Sequence, residues 1–489
     1  MALTTQQKNL HLSWRAGFGP SASDLAEIDK TGNAEWLKQI FKQSSAQPAY
    51  IDVTDDELKQ LLRERGEKGY RSADVDENQR RRLREKSRDG LKALNLAWLG
   101  QMVNSPQQLR EKMSLFWHGH FATRTVNIIY QQQLLDTIRK NALGNFATLL
   151  REVSKSASMI NFLNNNQNRK GHPNENFARE VMELFTLGRG NYSENDVKEA
   201  ARSFTGWGAD ASGAFNFKKN QHDTGEKTIF GKTGAFSGDD TLNMLLEKRE
   251  TAVFVARKVY KYFVNEIPDE EKVNWLAARF YKNNYDISAL MNDVFSADWF
   301  YSEKNIGSRI KSPVELLAGI RRFLPMQIDN EEVQLLLQRY LGQVLFYPPN
   351  VAGWPGGRNW IDSSTLMMRL RIPQLIYEGN AFQAKPKDDD DQMMGMMEKL
   401  PGVPNAGKKG DKKRPAQQIS ARIDWQPLLK DLEKVARPQL IASLSKLILQ
   451  TEKGVNPSLL AVNADAESRE IFIRTVTIQL MSTPEYQLC

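Results

Sequence analysis

Histidine is scarce in this chain, 5 in 489 residues, yet His118, His120, His172 and His222 fall between positions 118 and 222. The same span holds "NENFAREVMEL" and "HDTGEK". On a helix, Asn176, Glu180 and Glu183 follow i, i+4, i+7 and form one stripe beside the apolar stripe of Phe177, Val181 and Leu184. A polar stripe bordering a core stripe faces a cleft or another element. In "FWHGHFATRT", His118 and His120 are two residues apart, so their rings diverge by roughly 160° on a regular helix. They meet on one ligand only if the backbone breaks, and Gly119 is the residue to break it. The helix entering from Gln107 is therefore expected to end or kink near Gly119, turning both rings toward Glu180, His222 and Asp223. His118, His120, His222 and Asp223 would then ligate a divalent metal (Zn, Mn or Fe). Glu180 or Glu183 would act as general base on the metal's water, and Arg179 would stabilise developing negative charge. Against this stands a plainer reading: two rings beside Trp117 and Phe121 that hydrogen-bond to buried carbonyls and acids. Arg179 likewise has Glu175 or Glu183 within i,i+4 reach as an ion-pair partner.

Other chemistry is less well supplied. There is no G-x-S-x-G nucleophile elbow and no phosphate-binding glycine fingerprint. Ser363 and Ser364 read as a helix N-cap. Trp354 and Trp360, set among glycines in "VAGWPGGRNWIDSS", read either as sugar-stacking faces or as packed loop anchors. The one cysteine, Cys489, permits neither an intrachain disulfide nor a cysteine zinc cluster. The formal net charge is +8, but the densest basic stretch, "ENQRRRLREKSRDGLK", mixes both signs at helical spacing, so no nucleic-acid partner is expected. No apolar run reaches the roughly 18–20 residues of a membrane span. The opening "MALTTQQKNLHLSW" lacks the pattern of a secretory signal, which leaves localisation open.

The elements that must position these groups are helical nearly throughout. "LGNFATLLREV", "TAVFVARKVYKYFV" and "ISALMNDVFSADWF" carry helical apolar faces. "SENDVKEAARSF" opens on Ser193 with Asp196 three residues on, a near capping box, and "SPVELLAGIRRFL" places Pro313 in a first turn. "GAFNFKKNQHDTGEKTIFGKTGAFSGDD" is the best strand candidate. The expectation is a mainly α protein: a multi-helix globular body with long structured loops and at most a small β-hairpin element. Residues 1–383 form the main helical domain. Residues 384–417, including the aspartate run Asp388 to Asp391, change abruptly in composition and read as a disordered linker or insertion. Residues 418–489 form a C-terminal helical segment that docks on the body.

In order along the chain stand "HLSWRAGFGPS", "FWHGHFAT", "HPNENFAREVMELFTLGRGNYSENDVKEAARSFTGW", "FNFKKNQHDTGEKTIFG", "IKSPVELLAG" and "LGQVLFYPPNVAGWPGGRNWIDSSTLMMR". Together these resemble the bacterial family catalogued as domain of unknown function 1800. The resemblance runs from near Leu10 to near Arg371 and takes in the final "MSTPEYQ". It implies a mostly helical fold and a bacterial source, and brings no established reaction. Members are often exported, and are often encoded beside a family that looks like the alkaline phosphatase and sulfatase superfamily, which implies a sulfatase-like partner. Its signature includes the positions of His118, His120, Asn174, Asn176, Arg179, Glu180, Glu183, His222 and Asp223, so Asn174 and Asn176 join Trp354 and Trp360 as candidate substrate contacts. Two functions are thus expected: a metal-assisted hydrolase or related enzyme acting on an exported polymer or peptide, or a non-catalytic binding or maturation partner for the sulfatase-like protein or a surface polysaccharide.

Overall fold

A computed structural model describes residues 3–60, 77–210, 212–379, 381–382, 417–451, 454–465 and 467–489. The chain is mainly α. Its described strands form only two-stranded antiparallel ribbons, four in number; one falls wholly in the stretch expected to hold a hairpin (Lys227–Ile229 with Lys232–Gly234), and a second has one strand there (Phe215–Phe217) and its partner just before it (Trp207–Ala209). Residues 384–416, with the aspartate run, lie outside the described residues. Beyond them, the helix Arg469–Met481 packs on the helix Ser363–Glu378, and Leu488 bridges to Ile310 in the body.

Helices that build the site are labelled here in chain order: α1 (Glu77–Asn104), α2 (Gln108–His120), α3 (Asn176–Glu180), α4 (Arg249–Phe263) and α5 (Pro313–Phe323). Local signals explain several boundaries. Ser312 caps α5 in a capping box with Glu315, and Pro313 occupies the first turn, where its missing N–H costs nothing. Ser193 and Asp196 form the expected box on the helix Glu194–Ser203. At Ser363–Glu378 the cap is Asp362, whose carboxylate accepts from the Ser364 and Thr365 amides; the two serines lie inside the helix.

Two apolar clusters make the core, and α2 runs between them. Met113, Phe116, Trp117 and Phe121 belong to the larger cluster. Leu115 faces a smaller one built on Trp98, Leu99, Val314, Leu345 and Phe346. This position bears on the histidines. The helix ends one residue past Gly119, at His120, as expected, with Phe121 as its cap, its N–H donating to Trp117 O, but without a kink that would turn the two rings together. The rings therefore diverge as an i, i+2 pair must, one into each cluster. The glycine that close approach requires is Gly353, at φ +83°, where a side chain would collide with the Gly119 carbonyl; a side chain at Gly119 itself would meet open space.

Candidate functional site

His118 is buried, and its Nε2 accepts the Phe346 N–H at 3.2 Å. Trp98, Phe346 and Trp354 surround the ring at centroid distances of 5.0–5.5 Å. Burial holds its pKa down to about 3, so it is a neutral acceptor at physiological pH. The bond it makes is structurally costly to lose. Phe346 has φ +68°, a left-handed conformation that a bulky residue adopts only when its surroundings enforce it.

His120 is buried on the other side. Its Nε2 lies 3.1 Å from Phe185 O, and its Nδ1 lies 3.2 Å from Lys258 Nζ. A carbonyl can only accept, so Nε2 carries the proton and Nδ1 accepts from the lysine. Lys258 Nζ also donates to Leu184 O at 3.1 Å. Both carbonyls belong to a π-helix, Val181–Thr186, that continues α3. Such segments redirect backbone carbonyls out of the α pattern and recur at functional sites. Burial, reinforced by the Lys258 charge, keeps His120 well below its usual pKa.

The π-helix also breaks the stripe expected from α periodicity. Glu183 turns to Tyr192 Oη, at 2.5 Å, and to Arg189, at 2.8 Å. Arg179 pairs with Glu175 and Glu194. Glu180 is half-buried; burial and then the neighbouring Glu183 raise its pKa. Asn174 turns the chain into α3, its Oδ1 accepting the Asn176 N–H, while Asn176 is exposed. His222 donates from Nδ1 to Thr205 O at 2.9 Å, and Asp223 is held by Arg202 at 2.9 Å. These residues form several separate local networks rather than one centre. His118, His120, His222 and Asp223 do not fit a shared metal: both ring nitrogens of His120 have partners, and Asp223 is ion-paired. Among the described residues no group of three or more His, Cys, Asp or Glu side chains could hold a metal ion.

A cleft of about 450 Å³ opens beside α2, lined by His120 and Gly119, by Lys258, Tyr262 and Glu266 of α4 and its exit, and by Trp354 and Trp360 of the glycine-rich loop. Trp360 is buried and Trp354 half-buried, so the loop has one anchor and one indole available at the wall. Gly357, at φ +64°, brings the loop onto Glu266, since any side chain there would overlap the carboxylate. Glu266 Oε1 is buried with no partner among the described residues. The Tyr262 hydroxyl is buried without a well-formed hydrogen bond, the Arg309 guanidinium lying 4.5 Å from its ring centre. Behind it, Glu315 pairs with Lys112 at 2.5 Å and Arg309 at 3.2 Å. Burial alone would raise the Glu315 carboxyl, but the two cations hold it far below the usual range. None of Arg179, Glu180, Glu183, Asn174 or Asn176 lines this cleft.

Sequence reasoning missed Lys258, Tyr262 and Glu266. The signal was present in "ARKVYKYFVNE": with Val255, Val259 and Phe263 committed to the core, Lys258, Lys261 and Tyr262 follow i, i+3, i+4 on another face.

Comparison with known proteins adds one match. No curated protein and no solved structure matches the chain. A family model described as a protein of unknown function, DUF1800, matches residues 11–488. That match covers nearly all of the chain, which therefore belongs to the DUF1800 family.

Proposed function

We propose that this protein is a non-catalytic helical binding protein for a polysaccharide, and that the cleft between α2, α4 and the 342–362 loop takes the sugar. The observation that carries this reading is the combination in one cleft of a half-exposed indole, Trp354, the Tyr262 side chain, and Glu266, whose Oε1 has no partner among the described residues. Buried polar groups are normally hydrogen-bonded, and each one left unmet costs about 1–3 kcal/mol. A sugar offers an apolar ring face to an indole and hydroxyls to a carboxylate and a phenol. The volume lies within the roughly 300–1,000 Å³ usual for ligand pockets. The metal-assisted hydrolase is not carried forward, because its intended ligands have other partners. No helix among the described residues is long and apolar enough to cross a membrane. A sulfatase-like partner belongs to this proposal through the family resemblance.

Calorimetric titration with tetrameric neutral and acidic oligosaccharides tests the reading. Binding is expected for at least one of them, and Trp354→Ala should weaken it about tenfold, equivalent to ~1.4 kcal/mol, with the fold retained. Wild-type protein that binds none of them overturns the proposal.

A further inference from the structure

Three cations line the cleft, Lys258, Lys261 and Arg309, against one carboxylate, Glu266. Their situations differ. Both terminal nitrogens of Arg309 donate to Glu315, so its charge is met from behind. Lys261 is exposed. Lys258 is partly buried, and its two hydrogen-bond acceptors, His120 Nδ1 and Leu184 O, are both neutral. The Phe254 ring centre, 4.8 Å away, adds a third neutral contact. No carboxylate lies within ion-pair distance of Lys258 among the described residues, and its third N–H has no partner there.

His120 cannot supply the missing charge. Its Nε2 proton is committed to Phe185 O, which leaves only the Nδ1 lone pair facing the lysine. Burial brings the Lys258 amine down to about 8, so it remains mainly cationic at neutral pH. A partly buried ammonium held by neutral acceptors is an ion pair lacking its anion. The cleft is also graded along α4. Tyr262 lies one turn beyond Lys258, about 6 Å along the axis at 1.5 Å per residue, and Glu266 lies past the helix end. The ammonium without a carboxylate partner therefore sits at one end and a hydroxyl-accepting carboxylate at the other.

Resting on the saccharide reading above, we infer that the ligand is an anionic saccharide. Its carboxylate or sulfate group takes the third N–H of Lys258, its ring lies on Trp354, and its hydroxyls reach Glu266. His120 is a positioning residue that aims the ammonium.

Three tetramers are titrated into the full chain: galacturonate, a sulfated galactan and neutral galactan. One or both anionic tetramers should bind at least about tenfold tighter than the neutral one, and whichever does identifies the acid group. Raising NaCl from 50 to 500 mM should weaken the anionic ligand several-fold and leave the neutral one unchanged. Lys258→Met should bring anionic binding to the neutral level. The salt series reads the charge of the whole cleft on wild-type protein, and two variants assign it: Lys261→Met should keep the anionic preference and Lys258→Gln should lose it, while the opposite pattern overturns the role of Lys258 even if Lys258→Met fails to fold. Equal binding of all three tetramers with no salt dependence overturns the anionic assignment and leaves the saccharide reading standing. Absence of binding by any tetramer overturns both.

Discussion

The cleft wall and the face around α3 contain the same kinds of side chain and treat them in opposite ways. On the α3 face Arg179 meets Glu175 and Glu194, and Glu183 meets Tyr192 and Arg189. Along the cleft the set is incomplete: among the described residues the buried Glu266 Oε1 and one N–H of Lys258 have no partner. A stripe of acids and an arginine resembles a catalytic site by residue type, yet pairing has already used most of its binding capacity. What distinguishes a ligand site is the group whose partner the chain does not supply.

The comparison breaks most easily at the back of the cleft. Glu315→Ala would leave Lys112 and Arg309 buried without their anion. Removing one partner of a buried pair costs about 3–5 kcal/mol, and two cations depend on this one carboxylate. The expected result is a large drop in the denaturant midpoint, or failure to fold. A loss under about 1 kcal/mol would place the pairing in the class of surface ion pairs and remove the rigid backing that the cleft requires.

How far the site was legible in the sequence follows from the same contrast. Periodicity found the helices because apolar faces repeat at 3.6 residues whatever the tertiary context. It also gave the correct geometry for His118 and His120, a divergence of roughly 160°. The error lay in requiring them to converge. A helix between two clusters uses divergence, sending one ring to Phe346 and the other to Phe185. Nor did α spacing foresee the π-helix at Val181–Thr186, which turns Glu183 away from Glu180's line. Register changes of that kind depend on long-range partners, here Lys258 and His120, which no local window contains. The tryptophan stretch was readable as a glycine-rich loop with two indoles, but which indole is anchor and which is wall depends on packing.

Acid sharpens the comparison by acting on the buried histidines. The folded protein keeps His118 neutral down to about 3, whereas the unfolded chain takes up a proton near the ordinary 6.5. Protonation between those values therefore favours unfolding. The contribution of neutral His118 is complete above 6.5 and falls as pH drops toward 3, by up to about 1.4 kcal/mol per pH unit. His120 is lowered in the same direction and adds to the slope. His118→Gln removes one of the two. Its stability at pH 7 should be lower than that of the wild type, and the gap should close on acidification. Parallel curves from pH 7 to pH 4 would mean that His118 is not held neutral by the fold.

The smallest expected effect tests the paired face at its one irregular member. Glu180 has a pKa raised first by burial and then by Glu183, with Arg179 opposing. Its ionised form is thus mildly disfavoured in the folded state, and the raised pKa means that it regains a proton more readily there than in the unfolded chain. Glu180→Gln removes the charge and keeps the shape, so stability at pH 7 should change by no more than about 0.5 kcal/mol, as for ordinary surface substitutions. Saccharide affinity should be unchanged, because Glu180 does not line the cleft. A variant of unaltered stability that has lost binding would join the α3 face to the ligand site, and the carboxylate would again stand as a functional group.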